Sequence, residues 1–154
     1  MKIRKLLCAS HDTAGARAAE AEAFALCDTG ASLHHLVVVP DFWKGMMGDD
    51  WLNNAATQIR FGSYVENQLE QEIITHVERV ANVASQRQTP YSHAILQGKP
   101  AECLIAASRE DDYDLVVIGS PRPKGVEGYR SRMDLEQLAR GLRIPLLIVP
   151  HPAA

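Results

Sequence analysis

The sequence predicts an α/β sandwich in which five parallel strands are covered by helices on both faces. Short apolar runs of strand length recur without polar alternation, most plainly Leu115-Val-Val-Ile118, as a strand buried on both faces requires. Between such runs lie segments whose apolar residues recur at steps of three and four, the helical spacing. The two patterns alternate along the chain, an order that gives a parallel sheet joined by right-handed crossovers.

The first strand is expected over Ile3 to Ala9. Ser10-His11-Asp12-Thr13 follows as a polar turn rich in helix-capping residues. From Ala14 to Cys27 the alanine-rich segment carries Ala16, Ala19, Ala23, Leu26 and Cys27 on one face, small enough to lie close against a sheet. Asp28-Thr29-Gly30 ends this helix, Ser32 to Val39 reads as a second strand, and Pro40 closes it. The stretch from 41 to 57 interleaves Phe42, Trp43, Met46, Met47, Trp51 and Leu52 with Gly45, Gly48, Asp49 and Asp50, and reads as an irregular connection whose apolar side chains are covered by the domain or by a partner.

A long helix follows, with Val65, Leu69, Ile73, Val77, Val80 and Ala84 as its apolar stripe and Glu66, Glu70, Gln71, Glu78 and Arg79 on solvated faces. Thr89-Pro90 breaks it, Tyr91 to Leu96 is a third strand, and Pro100 after Gly98-Lys99 is expected at the first helical position. The helix from Ala101 to Glu110 leads to the strand Asp114 to Ile118, which stops at Gly119-Ser120-Pro121. Ser131-Arg132-Met133-Asp134 fits a capping box with Ser131 as N-cap, and Leu135, Leu138, Ala139 and Leu142 are expected in the core. Gly141 marks the end of that helix, Ile144 to Val149 the last strand.

At 154 residues the chain suits one domain with one core, and neither repeats nor low-complexity segments divide it. A formal charge of -3 gives no electrostatic footing for nucleic acid. No apolar run approaches the ~20 residues that span a bilayer, and the start Met1-Lys-Ile-Arg-Lys-Leu-Leu-Cys8 is too short for a signal peptide, so a cytoplasmic protein without a membrane role is expected. Cys8, Cys27 and Cys103 sit in apolar or alanine-rich segments with no CxxC pairing and read as small buried hydrophobes. His34 and His35 are neighbours in a strand and point to opposite faces, so they cannot chelate one ion together, and no metal site is expected. His11-Asp12 has no nucleophile at fixed spacing, and no catalytic residue is expected.

Two stretches together resemble the universal stress protein family. Leu96-Gln-Gly-Lys-Pro-Ala-Glu-Cys-Leu-Ile105 is similar to the glycine-x-proline-alanine-glutamate opening of the family's third helix, and Asp112-Tyr-Asp-Leu-Val-Val-Ile-Gly-Ser120 to its signature strand and turn. Ile144-Pro-Leu-Leu-Ile-Val149 is similar to its closing strand. The resemblance implies a Rossmann-like sandwich of the adenine nucleotide alpha hydrolase type, and a homodimer formed through Leu146 to Val149.

Nucleotide-binding members carry a glycine, two residues, a glycine, nine residues, and then glycine with serine or threonine. The glycines let backbone amides approach the phosphates, and the last pair opens a helix whose N-terminus favours anions. Here the first glycine is Gly119, but the second position is Arg122 and the final pair falls on Arg132 and Met133. His11 stands where an aspartate usually follows the first strand, with Asp12 beside it. Bulky side chains thus occupy the space of a triphosphate, while Arg122, Lys124, Arg130 and Arg132 still gather positive charge and Ser131 offers a hydroxyl.

The candidate cleft comprises Ser10, His11, Asp12, Val38, Gly119, Ser120, Arg122, Ser131, Arg132 and Met133. The leading expectation is a non-enzymatic stress-response dimer that works through contacts with a protein partner and lacks the intact ATP motif. The alternative is a sensor of ATP, AMP or another phosphate ligand, and a slow ATPase ranks last.

Overall fold

The computed structural model describes residues 2–10, 14–28, 30–39, 64–120 and 133–152. Within them the chain runs β1 (Lys5–Ala9), α1 (Ala14–Cys27), β2 (Ser32–Val39), α2 (Tyr64–Gln86), β3 (Tyr91–Gln97), α3 (Pro100–Ser108), β4 (Leu115–Gly119), α4 (Leu135–Gly141) and β5 (Leu146–Val149). The strands form one sheet in the order β3-β2-β1-β4-β5, and every neighbouring pair is parallel. The expected fold class is therefore the one observed. The segment expected as an irregular connection at 41 to 57 lies outside the described residues.

Alternate residues of each strand serve two cores. Leu6, Cys8, Leu33 and Val117 meet Ala19, Ala23, Phe24 and Cys27 of α1 and Val80 and Ala84 of α2. Leu7, Leu36, Val38, Val116 and Ile118 meet Ala101, Leu104 and Ala107 of α3 and Leu138 of α4. Helices α1 and α2 thus cover one face and α3 and α4 the other. This division follows from the strand order: connections leaving β1 and β2 run toward β3, those leaving β3 and β4 toward β5. The alanine stripe of α1 is what lets that helix sit low enough to contact β4 and β5 as well as β1.

Ends of elements follow local chemistry. Gly30, at φ 101°, takes the left-handed conformation that closes α1. Pro100 opens α3 where its missing N–H has no helical partner to lose. Asp114 fastens the bottom of the sheet, its carboxylate accepting the backbone N–H groups of Arg4 at 2.8 Å and Lys5 at 3.1 Å.

Three expectations need correction. Helix α4 begins at Leu135 with Asp134 as N-cap, its carboxylate accepting the N–H of Gln137, so the cap is not Ser131. Ala139 is exposed and does not face the core. Arg79 is only partly solvated; its guanidinium turns to Glu20 of α1.

Candidate functional site

Strands β1 and β4 are neighbours, yet the chain leaves them in opposite directions, which opens a crevice beyond their carboxyl ends. Two residues past the paired Cys8 and Val117 stand Ser10 and Gly119, one on each side of that crevice. Ser10 is held by its N–H donating to the Leu36 carbonyl at 3.2 Å. Val38 is buried and packs toward α3 and α4. Ser120 donates its N–H to the Val149 carbonyl at 2.8 Å, and its hydroxyl accepts the N–H of His151 at 2.9 Å. Met133 rests on the core beneath α3 and α4. The structure thus gathers Ser10, Val38, Gly119, Ser120 and Met133 at the carboxyl end of the sheet. His11, Asp12, Arg122, Ser131 and Arg132 lie outside the described residues.

Directly beneath Ser10 lies a buried polar cluster that the sequence reading did not assemble. Glu20 comes from α1, His35 from β2, His76 and Arg79 from α2, and Tyr91 from β3. The Ser10 hydroxyl is 2.6 Å from His35 Nε2, 3.2 Å from His76 Nε2 and 3.4 Å from Glu20 Oε1. Arg79 Nη2 reaches both Glu20 oxygens at 2.8 and 2.9 Å, and His76 Nδ1 at 3.1 Å. His35 Nδ1 meets the Tyr91 hydroxyl at 2.8 Å.

A guanidinium can only donate, and that fact orients the chain of hydrogen bonds. His76 Nδ1 accepts from Arg79, so its Nε2 carries the proton and donates to Ser10 Oγ. Ser10 has one proton, for which His35 Nε2 at 2.6 Å and the Glu20 carboxylate at 3.4 Å compete; given to the nearer imidazole, it leaves His35 Nδ1–H to donate to the Tyr91 oxygen. Burial first, and then the nearby His76, pull the His35 imidazole down to about 3, so it is neutral near pH 7. Burial, followed by the Glu20 carboxylate, raises the Tyr91 phenol.

Sequence signals for the cluster exist, but each is a single polar residue on an apolar stripe. Glu20 stands among the inward alanines Ala16, Ala19 and Ala23, and His76 lies between Ile73 and Val77. His35 sits between Leu33 and Val37 on the face of β2 that α1 and α2 cover. His34 points the other way, its Nδ1 2.7 Å from the Ser92 hydroxyl, as strand alternation requires.

The cysteines divide. Cys8 and Cys27 are buried, and burial pushes the Cys27 thiol up to about 11 and Cys8 higher still. Cys103 is only half-buried, its thiol 3.7 Å from the Gln97 carbonyl.

Comparison with known proteins places the fold. The model of the Universal stress protein family matches residues 2–150. A solved structure described as a hypothetical protein superposes with a TM-score of 0.74 at 15% identity, covering 97% of each chain. A universal stress protein family member from Burkholderia pseudomallei gives a TM-score of 0.65 at 21% identity, again over 97% of each chain. A family protein from Arabidopsis thaliana, solved with AMP bound, gives 0.63 at 11% identity over 97% of this chain and 93% of its own. Among curated proteins none matches.

Proposed function

This chain belongs to the universal stress protein family, and on that premise we propose that it is a non-enzymatic regulatory member that acts through protein contacts and holds no nucleoside triphosphate in the family's pose. The observation that carries this reading is the start of α4. Asp134 places a carboxylate on the first turn of that helix, where the Gln137 N–H donates to it at 3.0 Å. A family member that binds a triphosphate keeps small residues just before that helix, at the positions of Arg132 and Met133 here, and leaves the positive end of the helix to the phosphates. In this chain the helix start is already capped by negative charge, and the Met133 side chain just before it packs on the core. Arg122 in place of the second glycine points the same way.

Calorimetry of refolded, nucleotide-free protein with ATP and Mg2+ tests the reading. No measurable heat of binding is expected. Micromolar affinity that disappears in a Gly119→Val variant refutes it.

A second reading is supported by the relative solved with AMP bound and by the crevice at β1 and β4. A nucleoside monophosphate carries one phosphate in place of three and has less to fit past Arg122 and Asp134, so AMP titrated in the same experiment separates the two.

The dimer proposed through Leu146 to Val149 fits the place of β5 at one margin of the sheet. Pro145 and Val149 turn their carbonyls to β4, accepting from Val116 and Ser120. By the parallel ladder pattern, Leu146 and Ile148 turn their amides outward. A proline at Ile148 deletes an outward donor and leaves the β4 ladder intact, so sedimentation of Ile148→Pro is expected to show monomers. Undiminished dimers place the interface elsewhere.

A further inference from the structure

We propose that Glu20, His35 and His76 form a binding site for a divalent transition metal of the zinc class, with the Ser10 hydroxyl or a water as fourth ligand. Two imidazoles and one carboxylate make a ligand set that suits zinc, and catalytic zinc sites use the same three donors with one position left open. Here the donors come from α1, β2 and α2, all three residues are buried, and their ligand atoms lie within 4.8 Å of one another. The Ser10 oxygen marks their common focus, 2.6, 3.2 and 3.4 Å from the three. Zinc–ligand bonds of about 2.0–2.2 Å in a tetrahedron set the donors about 3.4 Å apart. The cluster therefore contracts by an ångström or so around an ion and needs no rearrangement of strands or helices.

The surroundings are those of an oriented site. Tyr91 accepts from His35 Nδ1 at 2.8 Å, which leaves the Nε2 lone pair aimed at the focus, as outer partners of metal-bound histidines do. Arg79 is the competitor. It donates to His76 Nδ1 and so keeps a proton on the nitrogen the ion needs. Its side chain is 36% exposed, however, against 5% for Glu20, and can swing to solvent while the buried carboxylate stays. His76 then shifts its proton to Nδ1, and the ion takes over the neutralisation of Glu20. Metal and Arg79 are thus alternative cations for one buried carboxylate.

This competition supplies the test. Full-length protein treated with chelator and dialysed is titrated with zinc chloride by calorimetry, and with cobalt(II) by visible absorption. One zinc per chain is expected, with affinity weakened about tenfold or more in Glu20→Gln and in His76→Asn. Affinity should be unchanged in a His34→Asn variant, which removes the histidine on the opposite face of the sheet. Arg79→Met is expected to bind zinc more tightly and to gain more in melting temperature from the ion than the unaltered protein. Should the ligand variants fail to fold, the cobalt spectrum of the unaltered chain decides, because a four-coordinate site absorbs intensely and a six-coordinate one weakly. No zinc uptake, a six-coordinate spectrum, loss of binding on removing His34, or weaker binding in Arg79→Met overturns the proposal.

Discussion

The ion pair between α1 and α2 predicts an asymmetry that is open to measurement. Glu20 is almost wholly enclosed, its side chain 5% exposed, whereas that of Arg79 is 36% exposed. Removing the arginine leaves a carboxylate where water cannot solvate it. Removing the carboxylate leaves a guanidinium that can turn outward. Breaking a fully buried pair costs about 3–5 kcal/mol, and the partial exposure of Arg79 brings the figure for Arg79→Leu to about 2–4 kcal/mol. For Glu20→Gln the amide oxygen can still accept from Arg79, so the loss is about 1 kcal/mol, the worth of an ordinary hydrogen bond. In a domain of this length that corresponds to a fall in melting temperature of about 6–12 °C for Arg79→Leu and about 3 °C for Glu20→Gln. Urea denaturation of chelator-treated protein, with the double variant closing a thermodynamic cycle, measures both losses and their coupling. Equal losses, or a larger one for Glu20→Gln, would show that burial does not set the balance at this pair.

Other expectations concern separate parts of the molecule. Leu138 is fully enclosed at the foot of α4, and Leu138→Ala should cost about 2–5 kcal/mol in denaturant. Asp134→Ala removes the cap of the same helix and should cost about 1 kcal/mol, while Asp134→Ser should restore most of it; equal losses would mean the side chain does not cap. The Cys27 thiol, pushed from 9.0 up to about 11, should be alkylated about a hundred times more slowly at pH 8 than an unshifted thiol. Its rate should still climb tenfold per pH unit through pH 9 and 10, and a plateau there, read by peptide mass spectrometry, would contradict the shift. The Asp114 carboxyl is held below its ordinary 3.8 by the backbone N–H groups of Arg4 and Lys5. Its contribution is therefore present above that value and lost as pH falls through the lower folded one. Asp114→Asn should be less stable than the unaltered protein at pH 7, with the gap closing in strong acid; a gap independent of pH would mean the charge is irrelevant.

Much of the architecture was legible because local pattern and tertiary role agree. The alanine period of α1 ends at Gly30, and β2 ends before Pro40, so both elements fall at the residues expected. Where two local patterns compete the sequence is ambiguous. Ser131 with Asp134 and Asp134 with Gln137 both have the spacing of a capping box, and only the fold shows that Asp134 is the residue whose side chain caps the helix. The polar cluster was not legible for a different reason. Ser10 and His76 are 66 positions apart, Glu20 and Arg79 59, and no periodicity within one element relates partners that meet only when α1 and α2 land on the same face. Arg79 illustrates the point: its helical position reads as solvated, and the attraction that turns it inward belongs to another helix.

The hydrogen bond from the His151 amide to the Ser120 hydroxyl joins two places with different tasks. Ser120 stands at the rim of the crevice, and His151 lies two residues beyond the strand through which a second copy is proposed to attach. A ligand that moved Ser120 would pull on the residue two places beyond that strand. Linkage requires the reverse effect to be equally large. Were both the ligand and the dimer found, crevice occupancy and self-association would report on one another.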